Sequence, residues 1–121
     1  MSAEKILVLN ATGKVGRNVC RALLEADFDV YGTTRSTKGT LASLGAKPMV
    51  CNYTLRADLD RAFVQSGARK VFVITDYFGA AKKSADLEIE QGRAAIDAAK
   101  AAGVQHLVFM SVADAFPSVV L

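Results

Sequence analysis

Short runs of consecutive apolar residues alternate along this chain with longer stretches in which apolar residues recur every three or four positions. Unbroken apolar runs of four to five residues are typical of strands buried on both faces of a parallel sheet. Residues 6–9, 71–74 and 107–110 are such runs and are predicted to be strands. Residues 30–34 and 49–52 are predicted to be the second and third strands. Gly32 within the second strand indicates that another element packs closely against its backbone.

The stretches between the predicted strands have helical spacing, and the last three end at glycines. Four helices are predicted: from Gly16 to about residue 26, from 37 to 44, from Thr54 to Gly67, and a long one that ends at Gly103. Thr54 is a suitable N-cap for the third helix, because its hydroxyl can accept a hydrogen bond from a free backbone N–H. Ile89, Ile96 and Ala99 share one side of the fourth helix.

Five strands that alternate with four helices predict an α/β fold in which a doubly wound parallel sheet lies between two layers of helices, a Rossmann-like sandwich. The natural strand order is 3-2-1-4-5. With 121 residues, the chain is expected to form one domain over its whole length. Its apolar end at 119–121 predicts a shortened chain with an uncovered edge on the fifth strand, and therefore self-association.

Composition narrows the classes of partner. Fifteen basic residues against twelve acidic ones are spread along the chain, a pattern that argues against a nucleic-acid-binding surface. No apolar run approaches the roughly 20 residues that span a bilayer. Cys20 and Cys51 lie in apolar segments without a neighbouring ligand-type residue, so they are expected to be reduced, buried thiols in a soluble cytoplasmic protein without a metal site.

The segment 10–16, Asn-Ala-Thr-Gly-Lys-Val-Gly, lies between the first strand and the first helix, where a dinucleotide-binding turn is expected. Gly13 would let the backbone approach a pyrophosphate, and Gly16 would let the helix pack tightly on the sheet. Asn10 stands where glycine is usual, and asparagine tolerates positive φ better than most residues. The candidate contacts are Asn10, Thr12, Gly13, Lys14, Val15 and Gly16. The alternative is a tight turn without a ligand, with Lys14 simply solvated.

Arg35 follows the second strand, 19 positions after Gly16. An acidic residue at this place would hold the ribose hydroxyls of NAD, whereas a guanidinium can bind the 2′-phosphate of NADP. Ser36 and Lys38 would add a hydroxyl donor and a second positive charge, or they belong to a solvated turn. The preferred cofactor is therefore expected to be NADP(H).

The runs at 11–16, 73–78, 88–93 and 97–104, together with the Thr34–Arg35 pair, resemble the NmrA-like family of the atypical short-chain dehydrogenase group. The resemblance covers residues 5 to about 115 here, but only the first half or less of a family member. Members of this family include NADP(H)-responsive regulators that bind the cofactor without turnover, and also true reductases.

This resemblance implies that Gly13, Gly16 and Arg35 contact the cofactor, and that a second group borders it after the fourth strand: Thr75, Asp76 and Tyr77. The alternative for that group is a plain loop. The family usually has a Gly-Asp pair after the third strand, whereas this chain has Cys51 and Asn52, which leaves only an amide to meet the adenine.

The sequence lacks the catalytic residue pair that is usual in reductases of this superfamily. Reductases of the wider superfamily usually need a Tyr-x-x-x-Lys pair, in which lysine lowers the pKa of tyrosine, and none of the three tyrosines has lysine four places on. His106 is expected to be a packing or surface residue. Whether the chain is an enzyme is therefore open at this point.

Three hypotheses follow. The first is a dinucleotide binder whose occupancy regulates a protein partner. The second is part of an NADPH-dependent oxidoreductase completed by a longer chain or another subunit, and the third is a ligand-free scaffold or assembly module.

Overall fold

The apolar runs form strands at the centre of the molecule, and the periodic segments form helices around them. The computed structural model describes residues 3–35, 40–52, 55–74, 85–110 and 118–120. The strands are β1 (Lys5–Val8), β2 (Asp29–Thr34), β3 (Lys47–Val50), β4 (Lys70–Ile74), β5 (His106–Met110) and β6 (Ser118–Val120). The helices are α1 (Lys14–Glu25), α2 (Thr40–Leu44), α3 (Arg56–Ser66) and α4 (Ala85–Ala101).

The sheet has the order β3-β2-β1-β4-β5-β6, and its first five strands are parallel. This confirms the doubly wound Rossmann-like fold with the order 3-2-1-4-5. The order reverses between β1 and β4, which both lie at the centre of the sheet. In folds of this kind, ligands bind at the carboxyl ends of the strands beside such a reversal.

One expectation about the sheet edge is corrected. β6 pairs antiparallel with β5, with Ser118 opposite Phe109 and Val120 opposite Leu107. The edge of β5, which the sequence analysis left uncovered, is therefore paired over three residues. Valine-rich segments suit such pairing because β-branched side chains favour strands.

Two apolar clusters form the core, one on each face of the sheet. The larger is built around Leu7, Leu59 and Phe63, and here the sheet packs against α3 and α4. The smaller contains Val8 and Cys20 and packs against α1 and α2. β1 and β4 carry apolar residues on both faces because helices cover both faces of the sheet.

Details at the ends of the elements differ from prediction. The N-cap of α3 is Leu55, which makes no side-chain cap hydrogen bond, whereas the predicted cap, Thr54, lies outside the described residues. Ile89 is 51% exposed on α4, so it does not share the core-facing side with Ala99. β3 begins two residues earlier than predicted and contains Pro48, which is tolerated because β3 is an edge strand.

Candidate functional site

The candidate site begins where β1 ends, between its neighbours β2 and β4. Leu9 N–H donates to the carbonyl oxygen of Phe72 (2.9 Å), and Ala11 N–H donates to the carbonyl oxygen of Thr33 (3.0 Å). Between them, Asn10 has φ 57°, the left-handed conformation expected of the residue that replaces glycine here. The backbone thus turns away from the sheet under hydrogen bonds to both neighbouring strands.

Gly16 is required by the packing of α1 on this turn. A Cβ atom at Gly16 would overlap the carbonyl oxygen of Asn10 and would lie 2.7 Å from Cα of Ala11. Only glycine allows the first turn of α1 to lie this close to the end of β1. The close approach brings the start of the helix over the carboxyl edge of the sheet.

Gly13 is not required in the same way. A Cβ atom there would lie no closer than 3.6 Å to any protein atom outside its chain neighbours, and its φ of −68° suits any residue. A side chain at position 13 would therefore make only ordinary contacts with Asn10. Gly13 is the N-cap of α1 and makes no side-chain cap hydrogen bond, and the first N–H groups of an α-helix have no partner within the helix.

The electrostatics of this helix end favour an anion. The first turn of α1 contains no acidic residue, and Lys14 is exposed there. The helix dipole places partial positive charge at the same end. Thr12 is half-buried in the turn, and Val15 is 38% exposed.

Two further candidate residues follow neighbouring strands at the same edge of the sheet. Arg35 is exposed directly after β2, and Asn52 is exposed two residues after β3. The N–H of Asn52 donates to Oδ2 of Asp58 (2.8 Å), which joins this segment to the start of α3. Cys51 N–H donates to the carbonyl oxygen of Thr34 (2.9 Å), so the ends of β2 and β3 remain hydrogen-bonded beyond the ladder.

The remaining predicted site residues lie outside the described part of the chain: Ser36, Lys38, Thr75, Asp76 and Tyr77. Of the predicted site residues that it describes, the structure places the segment 10–16, Arg35 and Asn52 after the carboxyl ends of β1, β2 and β3, at the same edge of the sheet.

The opposite edge of the sheet carries a polar cluster that sequence reasoning missed. Lys47 Nζ lies 3.2 Å from the carboxylate of Asp29 and 4.9 Å from the ring centroid of Tyr31. Hydrogen bonds to Asp29 and then to Tyr31 raise the pKa of Lys47. Only the pairing of β2 with β3 brings these residues together, and Tyr31 stands directly opposite Lys47 in that register.

His106 begins β5 at this same amino edge, where it is exposed. It lies opposite Lys70 in the parallel register and far along its strand from the turn at 10–16. His106 was expected to be a packing or a surface residue, and it lies at the surface.

Two kinds of feature are absent from the part of the chain that the structure describes. No group of three or more His, Cys, Asp or Glu side chains in the described ranges is placed to hold a metal ion. None of the helices in the same ranges has the length and apolar character of a membrane span.

Comparison with known proteins gives the family. The model of the NmrA-like family matches residues 2–118. The chain belongs to the NmrA-like family. An NmrA-like family domain-containing protein of Dictyostelium discoideum is 31% identical over 116 residues, which are 91% of this chain and 36% of that protein.

Solved structures agree with the fold. The negative transcriptional regulator NmrA in complex with NADP is 26% identical, with a TM-score of 0.74 over 92% of this chain and 34% of that one. The same regulator was also solved in complex with NAD, with a TM-score of 0.73. An NADPH-dependent quinone oxidoreductase of Escherichia coli complexed with NADPH is 26% identical, with a TM-score of 0.72 over 88% of this chain and 36% of that one. The chain thus spans about a third of the length of these relatives.

Proposed function

We propose that this chain is the cofactor-binding part of an NmrA-like protein and binds a nicotinamide dinucleotide at the segment 10–16. The observation that carries the proposal is the contrast between Gly16, which the packing requires, and Gly13, which it does not. A glycine without a structural need, at an uncapped helix N-terminus, suits the close approach of a pyrophosphate. The relatives that were solved with NADP, NAD or NADPH support the same conclusion.

The preferred cofactor in this proposal is NADP(H). Arg35 lies at the carboxyl end of β2, the strand next to the one that leads into the turn. A planar guanidinium binds a phosphate through two charge-assisted hydrogen bonds, whereas the 2′-hydroxyl of NAD would offer it little. Arg35 therefore supplies the preference for the phosphorylated dinucleotide.

The experiment is calorimetric titration of the purified chain with NADPH and with NADH, using wild type, Arg35→Ala and Arg21→Ala. Arg21 is an exposed arginine on α1 and serves as the matched control for net charge. We expect selective NADPH binding in wild type and in Arg21→Ala, and a loss of about 1.5–3 kcal/mol in Arg35→Ala. Equal affinity of wild type for both cofactors would contradict the NADP(H) preference, and absence of binding to either would contradict the proposal.

The role proposed for the bound cofactor is regulatory: occupancy of the site changes an interaction with a protein partner in the cytoplasm. The similarity to the negative transcriptional regulator supports this role. The test is capture of a partner by the full-length protein with and without added NADP(H). Equal capture in the two conditions would contradict the role.

The similarity to the quinone oxidoreductase favours a second candidate function, in which the chain is part of an NADPH-dependent oxidoreductase. Oxidation of NADPH by the longest native form of the protein distinguishes the regulator from the oxidoreductase. It is followed by the loss of the absorbance of the reduced nicotinamide, with and without added quinones. Turnover that depends on an added quinone supports the oxidoreductase, whereas binding without turnover supports the regulator.

Self-association is also proposed, although not through the β5 edge. Half-buried Phe72 and Val108 line an open apolar depression of about 260 Å³ on the face of the sheet that carries α1. Exposed apolar surface of this kind favours association. Light scattering over a concentration series tests it, and a constant monomer mass would contradict it.

A further inference from the structure

Thr33 of β2 accepts two hydrogen bonds from the turn after β1. Its carbonyl oxygen accepts from Ala11 N–H (3.0 Å), and its side-chain Oγ1 accepts from Asn10 N–H (2.8 Å). Thr33 itself is buried, with 2% of its surface exposed. Consecutive N–H groups of the turn are thus held by a single residue of the neighbouring strand.

The hydroxyl is needed because the β1–β2 ladder has already ended. The last paired residues are Val8 and Gly32, and beyond them Asn10 turns away with its positive φ. The N–H of Asn10 then meets a side-chain oxygen in place of a strand carbonyl. A valine at position 33 would keep the shape of threonine but would leave this part-buried N–H without its acceptor.

Gly32 shows how closely β2 lies against the same turn. A Cβ atom at Gly32 would lie 2.6 Å from Cβ of Ala11. The backbone of β2 therefore touches the turn directly, and Thr33 is the next residue along. The turn cannot shift along β2 while both hydrogen bonds to Thr33 are kept.

Arg35 follows Thr33 by two residues, so the strand that holds the turn also carries the guanidinium. We propose that Thr33 is a positioning residue that fixes the pyrophosphate-binding turn relative to Arg35, so that the two anionic groups of NADP(H) are recognised together. This inference rests on the proposed function. It assigns to Thr33 an effect on the turn and none on the phosphate site of Arg35 itself.

The experiment uses two ligands that differ in what they reach. NADPH carries both the pyrophosphate and the 2′-phosphate, whereas 2′-AMP carries only the phosphate assigned to Arg35. Thr33→Val should weaken NADPH binding about threefold to tenfold, the fold-change for one neutral hydrogen bond, and should change 2′-AMP binding less than about twofold. Thr33→Ser keeps the hydroxyl and should restore NADPH affinity.

Ser66→Ala is the matched control. Ser66 is fully buried at the end of α3, and its Oγ donates to the carbonyl oxygen of Phe63 and accepts from Ala68 N–H. Removing this hydroxyl should lower stability and leave the affinity for both ligands unchanged, because it does not touch the turn.

The outcomes separate the two proposals. Wild type that binds neither ligand overturns both the proposed function and the role of Thr33. Wild type that binds NADPH while Thr33→Val binds it equally well, or loses both ligands to the same extent, overturns the role of Thr33 alone. If Thr33→Val does not fold, hydrogen exchange decides in wild type and Thr33→Ser: the Asn10 amide should be protected in both, and rapid exchange overturns the inference.

Discussion

Gly16 lies against the backbone of Asn10 so closely that a Cβ atom at Gly16 would overlap the Asn10 carbonyl oxygen. The same Cβ atom would lie 2.7 Å from Cα and 2.9 Å from the carbonyl carbon of Ala11, and these backbone atoms cannot move without displacing the end of β1. The contact therefore couples the start of α1 to the central strand of the sheet.

Gly16→Ala should consequently destabilise the fold. Overpacking against backbone costs about 1–3 kcal/mol, more than the roughly 1 kcal/mol that alanine gains over glycine in a helix. Urea unfolding followed by circular dichroism measures the difference. An unchanged midpoint would mean that α1 can move away from the turn at little cost.

Gly13→Ala should leave stability nearly unchanged and should weaken ligand binding. Its methyl group would meet no protein atom closer than 3.6 Å, so the free energy of unfolding should change by less than about 1 kcal/mol. If the space belongs to the pyrophosphate, NADPH affinity should fall by about tenfold or more. A variant with normal stability and normal NADPH affinity would place the ligand elsewhere.

Gly92 and Phe109 make a second close contact, between α4 and β5. A Cβ atom at Gly92 would lie 2.8 Å from Cε2 and Cζ of the Phe109 ring. In wild type, Gly92→Ala should cost up to about 2 kcal/mol, because displacement of the ring exceeds the gain in helix propensity.

The effect of Gly92→Ala on stability should change sign when the Phe109 ring is removed. In a Phe109→Leu background, Gly92→Ala should stabilise by up to about 1 kcal/mol, since only the propensity gain remains. Urea unfolding of the four proteins forms a double-mutant cycle. The same sign in both backgrounds would show that the ring does not limit residue 92.

The stability of the fold should fall at alkaline pH because two buried thiols have raised pKa values. Burial raises the pKa of Cys20 from 9.0 to about 11, and burial together with the charge of Asp58 does the same for Cys51. The unfolded chain releases these protons first, so the stabilisation is complete below about pH 9 and is lost as the pH rises toward 11.

The free energy of unfolding is measured from about pH 8 to about pH 10.5 in borate and carbonate buffers. As the pH rises, it should fall more steeply for wild type than for the Cys20→Ala/Cys51→Ala variant. Lysines and tyrosines titrate in both proteins, so the difference between the slopes isolates the thiols. Parallel slopes would contradict the assignment.

Much of the fold could be predicted from the sequence because the five apolar runs and the glycines at the helix ends act locally. The left-handed conformations of Gly45, Gly67 and Gly103 follow the predicted helix ends, with φ of 100°, 64° and 75°. The structure differs from prediction at the ends of elements and at the sheet edge. The N-cap of α3 is Leu55, next to the hydrogen bond from Asn52 N–H to Asp58, and β6 forms by pairing with the edge of β5, a contact that no local pattern specifies.

The candidate site also has features that local sequence determines and features that depend on tertiary contacts. The sequence by itself determined the glycine turn between β1 and α1, the arginine after β2 and the left-handed Asn10, because each depends on a residue and its near neighbours. Only the tertiary structure decided which glycine the fold requires, that Thr33 holds the turn, and that Lys47 meets Asp29 and Tyr31. The contacts of Thr33 and Lys47 join residues 16 or more positions apart, and the pairing of strands, which no local pattern specifies, brings them within a few ångströms. The requirement for glycine at position 16 depends on how α1 packs against the end of β1.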